Sequence, residues 1–191
     1  LSTTNRRVLI LADGDNTFLA AQSFNRRIDW QKIRDYLADP KEGRELIEMV
    51  IYVGLPPARE RFEDQRKTKE KFIYWAKSNG FLVVHKQGKT KGDDYETNID
   101  IVMAMDAIEL ALEVRPDIVV LVTGDSDFAY LAEKLRRRGM RVEVASVEQS
   151  LGNDLKIAAS SVVDLIEIFD TFEQQNNHHD FHRIGHTNVF D

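Results

Sequence analysis

The chain has 191 residues, with 26 Lys and Arg against 32 Asp and Glu for a formal net charge of −6, and 42% of its residues are hydrophobic. That balance suits one globular domain with a short tail, excludes wholesale disorder and argues against a simple basic nucleic-acid coat. There is no cysteine, which removes disulfides, thiolate nucleophiles and Cys-ligated metal sites.

In chain order, Val8–Ala12 is a compact aliphatic run that reads as a buried strand, ended by Asp13-Gly14-Asp15-Asn16. Helical patterns are predicted over Thr17–Arg26 and Asp29–Ala38, then a second strand over Leu46–Val53, closed by Gly54 and Pro56-Pro57. A long charged helical segment, Arg59–Ser78, stops at Asn79-Gly80, and Phe81–Val84 is a third strand. Lys86–Asp94 reads as a polar loop. Thr97–Glu113 is a strongly apolar helix halted by Arg115-Pro116. Ile118–Val122 is the most apolar strand, followed by a helix over Phe128–Arg138, a strand over Val142–Ala145, a short helix over Asp154–Ala159 and an apolar segment, Val162–Phe169.

Near-continuous aliphatic strands alternating with helices predict a parallel sheet covered on both faces. The expected fold is therefore a three-layer α/β/α sandwich around a mainly parallel sheet of five or six strands. Residues 1–172 are expected to form the domain and 173–191 a flexible polar tail. No apolar run approaches the roughly 18–20 residues of a membrane span, and Leu1–Arg7 lacks the apolar core of a signal peptide, so a cytoplasmic protein is expected.

Ligands of such sheets bind beyond the carboxyl ends of the strands, and acids gather there. Asp13-Gly14-Asp15-Asn16 follows the first strand, and Thr123-Gly124-Asp125-Ser126-Asp127-Phe128 follows the most buried one. Each motif alone reads equally well as an N-cap for the next helix. Capping, however, needs one side chain per helix, and both motifs offer two acids. At 100° per residue, Asp100 shares an arc with Met103, Ala104, Ala107 and Ala111. Asp106, Glu109 and Glu113 fall together on the opposite, solvent side by the same count. A carboxylate on an apolar arc needs a partner, a proton or a metal. Clustered carboxylates repel and raise their own pKa values, which a divalent cation relieves. Oxygen ligands without His or Cys favour Mg²⁺ or Mn²⁺, and such ions suit phosphodiester chemistry through an activated water.

The ordered trio of these motifs, with Asn98-Ile99-Asp100-Ile101 and Asp106-Ala107 between the two strand ends, resembles the NYN domain of the LabA-like group, in the PIN-like nuclease superfamily. The resemblance runs from about Arg7 to Phe169. It implies a PIN-like fold and a Mg²⁺- or Mn²⁺-dependent ribonuclease acting on RNA, with Asp13, Asp100, Asp125 and Asp127 as the acidic, metal-holding quartet. Asn16, Thr123 and Ser126 match the polar residues beside it and are expected to bind substrate by orienting water or phosphate, and Asp15 and Asp106 are secondary candidates. The family often carries Lys-Gly just before the second acid; here Asn98 stands there.

The net charge hides an asymmetry, because Arg59 to Lys91 holds ten Lys and Arg against four acids. That segment is either a solvated face or a phosphate-binding surface with Phe72, Tyr74 and Trp75 available for stacking. Lys86, Lys89 and Lys91 are its best backbone-binding candidates, since their loop leads to Asp100. Arg136, Arg137, Arg138 and Arg141 form a second cluster suited to a helix C-terminus. His178, His179, His182 and His186 read as adventitious metal binders. Two rival readings stand beside the nuclease: a non-catalytic regulatory or RNA-binding protein on the same fold, and a phosphatase of the haloacid dehalogenase type, for which Asp13-x-Asp15-x-Thr17 would supply nucleophile and general acid.

Overall fold

The aliphatic runs form six parallel strands in a computed structural model that describes residues 5–175. The elements are β1 (Arg6–Asp13), α1 (Gly14–Ser23), α2 (Trp30–Leu37), β2 (Arg44–Leu55), α3 (Glu63–Ser78), β3 (Leu82–Gln87), β4 (Lys89–Lys91), β5 (Asp94–Glu96), α4 (Ile99–Val114), β6 (Ile118–Val122), α5 (Ala129–Arg136), β7 (Arg141–Ser146), α6 (Asn153–Ala158), β8 (Ser161–Asp164) and α7 (Ile166–Phe169). The large sheet runs β3-β2-β1-β6-β7-β8, with every neighbouring pair parallel.

Alternation along the strands divides the core into two layers. Val8, Ile10 and Ala12 of β1, with Ile118, Val120 and Val122 of β6, face the layer that includes Trp30 of α2 and Phe72 of α3. Leu9 and Leu11, with Val119 and Leu121, face Met103, Ala107 and Ala111 of α4 and Leu131 of α5. All five residues of β6 are fully buried. Each aliphatic side chain buried this way stabilises the fold by about 1.5–3 kcal/mol, so the two central strands anchor the domain. The three-layer α/β/α expectation holds, with six strands.

Several boundaries differ from the sequence reading. The Lys86–Asp94 stretch is no loop: β3 continues to Gln87, and β4 pairs antiparallel with β5 around Gly92, whose φ of +61° suits glycine. Alternation is too short in a three-residue strand to be visible in sequence. The final apolar segment is a strand plus a single helical turn, β8 and α7. Glu173 and Gln175 lie beside Asn25–Arg27, with Arg27 N–H donating to Glu173 O and Gln175 N–H to Asn25 O. The four tail histidines, His178, His179, His182 and His186, lie outside the described residues. Among the described residues, no helix is long and apolar enough to cross a membrane.

Strand order reverses between β1 and β6, since successive connections from β1 build toward β3 on one side and from β6 toward β8 on the other. Such a switch point leaves a crevice beyond the strand ends. Asp13 and Thr123 stand there, one at the end of β1 and the other just after β6.

Candidate active site

Asp13 is the last residue of β1 and the N-cap of α1, accepting a hydrogen bond from Asn16 N–H at 3.1 Å. The capping reading is therefore correct, and it does not exhaust the residue. Only 8% of Asp13 is exposed. Burial, then the charges of Asp15, Asp125 and Asp100, outweigh the bond from Asn16 and raise its carboxyl to about 7. The start of α1, the first turn of α4 and the turn after β6 thus bring Asp15, Asp100 and Asp125 within electrostatic reach of Asp13. Gly14 permits this entry: a Cβ there would lie 2.8 Å from Tyr52 O, so α1 starts hard against β2.

Asn16 ties the two strand ends together, because its Oδ1 accepts from Gly124 N–H at 3.0 Å. Thr17 adds a second tie, its buried hydroxyl donating to Asp13 O at 2.7 Å and to Val122 O at 3.2 Å. Thr123, also buried, accepts from Asp125 N–H at 3.2 Å and so shapes the turn. Asp125 in turn accepts from Asp127 N–H at 3.0 Å. Gly124 is required where it is: a Cβ would stand 1.8 Å from Ser150 O. Ser126 is half-buried beside Gly152. Asp127 is exposed, and its backbone N–H ties it to the Asp125 carboxylate.

Asp100 occupies the first turn of α4 and is half-buried. The preceding residue but one, Asn98, has φ +48°, a left-handed conformation that glycine adopts freely and asparagine tolerates. Asn98 therefore meets the backbone demand at the place where the resembled family often has glycine. Asp106 departs from the helical-wheel expectation. Unlike exposed Glu109 and Glu113 it is half-buried, because it flanks the packed arc and lies against Tyr52. Burial and then the Asp106 charge push the Tyr52 hydroxyl up.

Sequence reasoning missed Lys69. It was counted within the basic segment, as solvated or phosphate-binding, and it is neither: only 3% is exposed. Its Nζ donates to Asp15 Oδ1 at 2.8 Å and to Gly54 O at 2.6 Å, and it is hydrogen-bonded to the Tyr95 hydroxyl. The other Asp15 oxygen accepts from Gly54 N–H at 3.3 Å. The available signal was spacing, since Lys69 shares a helical face with buried Phe72, Ile73 and Ala76.

Of the proposed backbone-binding lysines, Lys86 is half-buried on β3, while Lys89 and Lys91 are exposed on β4. Lys91 pairs with Glu96 at 3.3 Å. Arg61 holds the hairpin, donating to Gly92 O at 2.9 Å, and Phe62 packs edge-on to Tyr95 at 5.3 Å. Phe72 is buried; Trp75 stacks on Phe72 and Phe81 and is partly exposed, and Tyr74 is fully outside. Phe18, Trp30, Phe72 and Trp75 line a cavity of about 530 Å³ that includes none of the clustered carboxylates.

The donor set around Asp13 is all oxygen, which suits a hard divalent cation. Among the described residues no three acids are drawn into a closed ligand cage. Mg²⁺ typically keeps several waters and takes only one or two carboxylates, so an open set still matches it.

A family model, the NYN domain, matches residues 7–167. Low amplitude and bright protein LabA of Synechococcus elongatus is 28% identical over 175 residues, covering 88% of each chain. Uncharacterized protein MJ0482 of Methanocaldococcus jannaschii is 28% identical over 163 residues, 85% of this chain and 57% of that longer protein. Among solved structures, VPA0982 of Vibrio parahaemolyticus, a protein of unknown function, superimposes with a TM-score of 0.67 at 23% identity, covering 86% of this chain and 96% of that one. That likeness concerns the fold.

Proposed function

The chain belongs to the NYN domain family, in its LabA-like group among the PIN-like nucleases, and from that premise we propose that it is a Mg²⁺- or Mn²⁺-dependent ribonuclease. One observation carries the reading: Asp13 is buried at the switch point among Asp15, Asp100 and Asp125, with its carboxyl raised to about 7. An acid so placed lacks a counter-charge of its own. In this reading Asp13, Asp100 and Asp125 hold the ion, and exposed Asp127 assists from the mouth of the crevice. When bound, the ion supplies Lewis acidity toward phosphate oxygens and lowers the pKa of water it coordinates.

The chain's own residues do the rest. Hydrolysis joins a water oxygen to phosphorus and breaks the bond to the leaving ribose oxygen, and the water's proton ends on solvent or on that oxygen. Asn16 holds the two acidic strand ends at fixed separation, and Thr123 fixes the turn that presents Asp125. Ser126, beside that turn, orients phosphate or water. Lys86, Lys89 and Lys91 attract the RNA backbone, a sequence-independent and salt-sensitive contribution.

The haloacid dehalogenase reading needs Asp15 free as a general acid. Asp15 is instead engaged by Lys69 and by Gly54 N–H, which speaks for the nuclease. The test is cleavage of a single-stranded RNA by highly purified protein with Mg²⁺ or Mn²⁺, comparing wild type, Asp13→Asn and Asp125→Asn. Metal-dependent cleavage lost in both variants supports the proposal. Equal cleavage by the variants contradicts it by removing Asp13 and Asp125 from the reaction, and no cleavage by the wild type contradicts it and leaves a non-catalytic RNA-binding protein.

A further inference from the structure

The cavity of about 530 Å³ lies on the face of the sheet that α1, α2 and α3 cover, apart from the acidic crevice. Its size falls within the roughly 300–1,000 Å³ of small-molecule sites, and its walls are aromatic. Trp30 of α2 packs on Phe72 of α3 with ring centroids 6.1 Å apart. Phe72 stacks in turn on Trp75 at 6.0 Å and an interplanar angle of 26°. Trp75 remains 40% exposed, a shelf on which a flat ring can lie. Trp30 also carries an orphan: its indole N–H is buried and has no acceptor among the described residues. Buried donors are nearly always paired, and the indole only donates, so the missing partner is an acceptor.

The rim carries charge of both signs, unequally committed. Lys71 is exposed on α3 and makes no ion pair among the described residues. Lys32 spends one donor on Thr171 O at 2.8 Å and keeps two of its three. Arg27 meets Glu173 only at 3.9 Å, with both side chains largely exposed. Asp29 is occupied in capping α2, accepting from Lys32 N–H at 3.0 Å. Three cations against two acids suit a single anionic group. A polyanionic strand would have to pass Asp29 and Glu173 as well.

We propose that this cavity binds one free nucleoside monophosphate, the class of ligand that joins a flat ring, acceptors on the ring edge and one phosphate. The base stacks on Trp75, an edge acceptor partners the Trp30 indole N–H once the ring turns to meet it, and the phosphate lies among Lys71, Lys32 and Arg27. This site is separate from the crevice and does not depend on the ribonuclease reading.

Trp30 and Trp75 are the two tryptophans of the chain and both line the cavity, so intrinsic fluorescence reports on it directly. The experiment is a titration of the whole chain in EDTA with adenosine and uridine 5′-monophosphates, read by tryptophan fluorescence and calorimetry, with folding checked by thermal melting. At least one of the two binds saturably, one per chain, while its nucleoside and inorganic phosphate each bind about tenfold more weakly or worse. Trp75→Ala weakens nucleotide binding by about tenfold or more. Lys71→Ala weakens it by about fivefold and leaves binding of the nucleoside unchanged; this exposed position decides the matter if Trp75→Ala fails to fold. No saturable change with either nucleotide up to about 10 mM, beyond the usual range of weak binding, overturns the proposal, as does unchanged nucleotide binding by Lys71→Ala. An oligouridine RNA that displaces the nucleotide and binds more tightly, with the same dependence on Lys71, overturns it in favour of an RNA strand.

Discussion

Two buried acids at opposite ends of the same sheet have opposite electrostatic fates. Glu143 on β7, only 2% exposed, receives a bidentate grip from Arg44 at 2.8 and 3.0 Å, and Arg141 donates to it at 3.0 Å. Burial pushes its carboxyl up, but the hydrogen bonds and charges of Arg44 and Arg141 outweigh burial and hold it below the usual range. Asp13 is buried almost as deeply, yet its charged neighbours are acids, and it rises to about 7. Burial alone therefore does not mark a functional acid. An acid that the protein neutralises itself is architectural, and one whose charged neighbours are acids at a strand end is where the proposed reading puts the cation.

The largest expected effect breaks the Asp13 side of this contrast. Asp13→Asn lowers metal-dependent RNA cleavage by more than about 100-fold, the scale on which a metal site fails when its shell is damaged, as measured in single-turnover assays. The same substitution leaves the fold intact, because asparagine still caps α1. Breaking the other side has the reverse signature. Glu143→Gln leaves two arginines facing a neutral group and costs about 3 kcal/mol, a fall of roughly 6–12 °C in Tm for a domain of this size. Cleavage per folded molecule is unchanged.

The pH dependence sharpens the comparison further, because the two acids contribute with opposite sign. Asp13 has a folded value raised from 3.8 to about 7. Its proton stabilises the ion-free fold fully below the unfolded value, and that contribution is lost as pH rises through 7. Glu143 is shifted down, so its contribution is present above its unfolded value and lost as pH falls through the folded one. Chemical denaturation in EDTA therefore shows Asp13→Asn gaining on the wild type between about pH 4 and pH 7, and Mn²⁺ erases that difference by stabilising the wild type. The smallest effect belongs to the hairpin. Lys89→Ala weakens RNA binding by about two- to threefold and reduces the salt slope by about one, as read by fluorescence anisotropy across ionic strengths.

The six-stranded sandwich was legible because continuous aliphatic runs such as Ile118–Val122 have few alternatives to a doubly covered parallel strand. Asp13, Asp100 and Asp125 were legible because parallel topology gathers strand ends, and because one helical arc carried Asp100. The β4–β5 hairpin was not, since its strands are three residues long and mostly polar. Lys69 was hidden by its charge: in a segment of ten basic residues, a buried lysine looks like a solvated one until its face is compared with Phe72 and Ile73. Asp106 was misplaced by a wheel that marks the centre of the buried arc better than its flanks. The support that the buried Thr123 hydroxyl gives to the Asp125 turn was not legible either, because it depends on the local turn geometry.

The net charge of −6 also takes on a narrower meaning, because six acids against one arginine lie after Val163. The rest of the chain is close to neutral, with an acidic crevice and a basic stretch beside it. The most direct test of the central claim is anomalous diffraction from a crystal soaked in Mn²⁺. The account predicts a peak at Asp13 within reach of Asp100 and Asp125, and none at Glu143. A crystal with no peak at Asp13, at a Mn²⁺ concentration that supports cleavage, would contradict it.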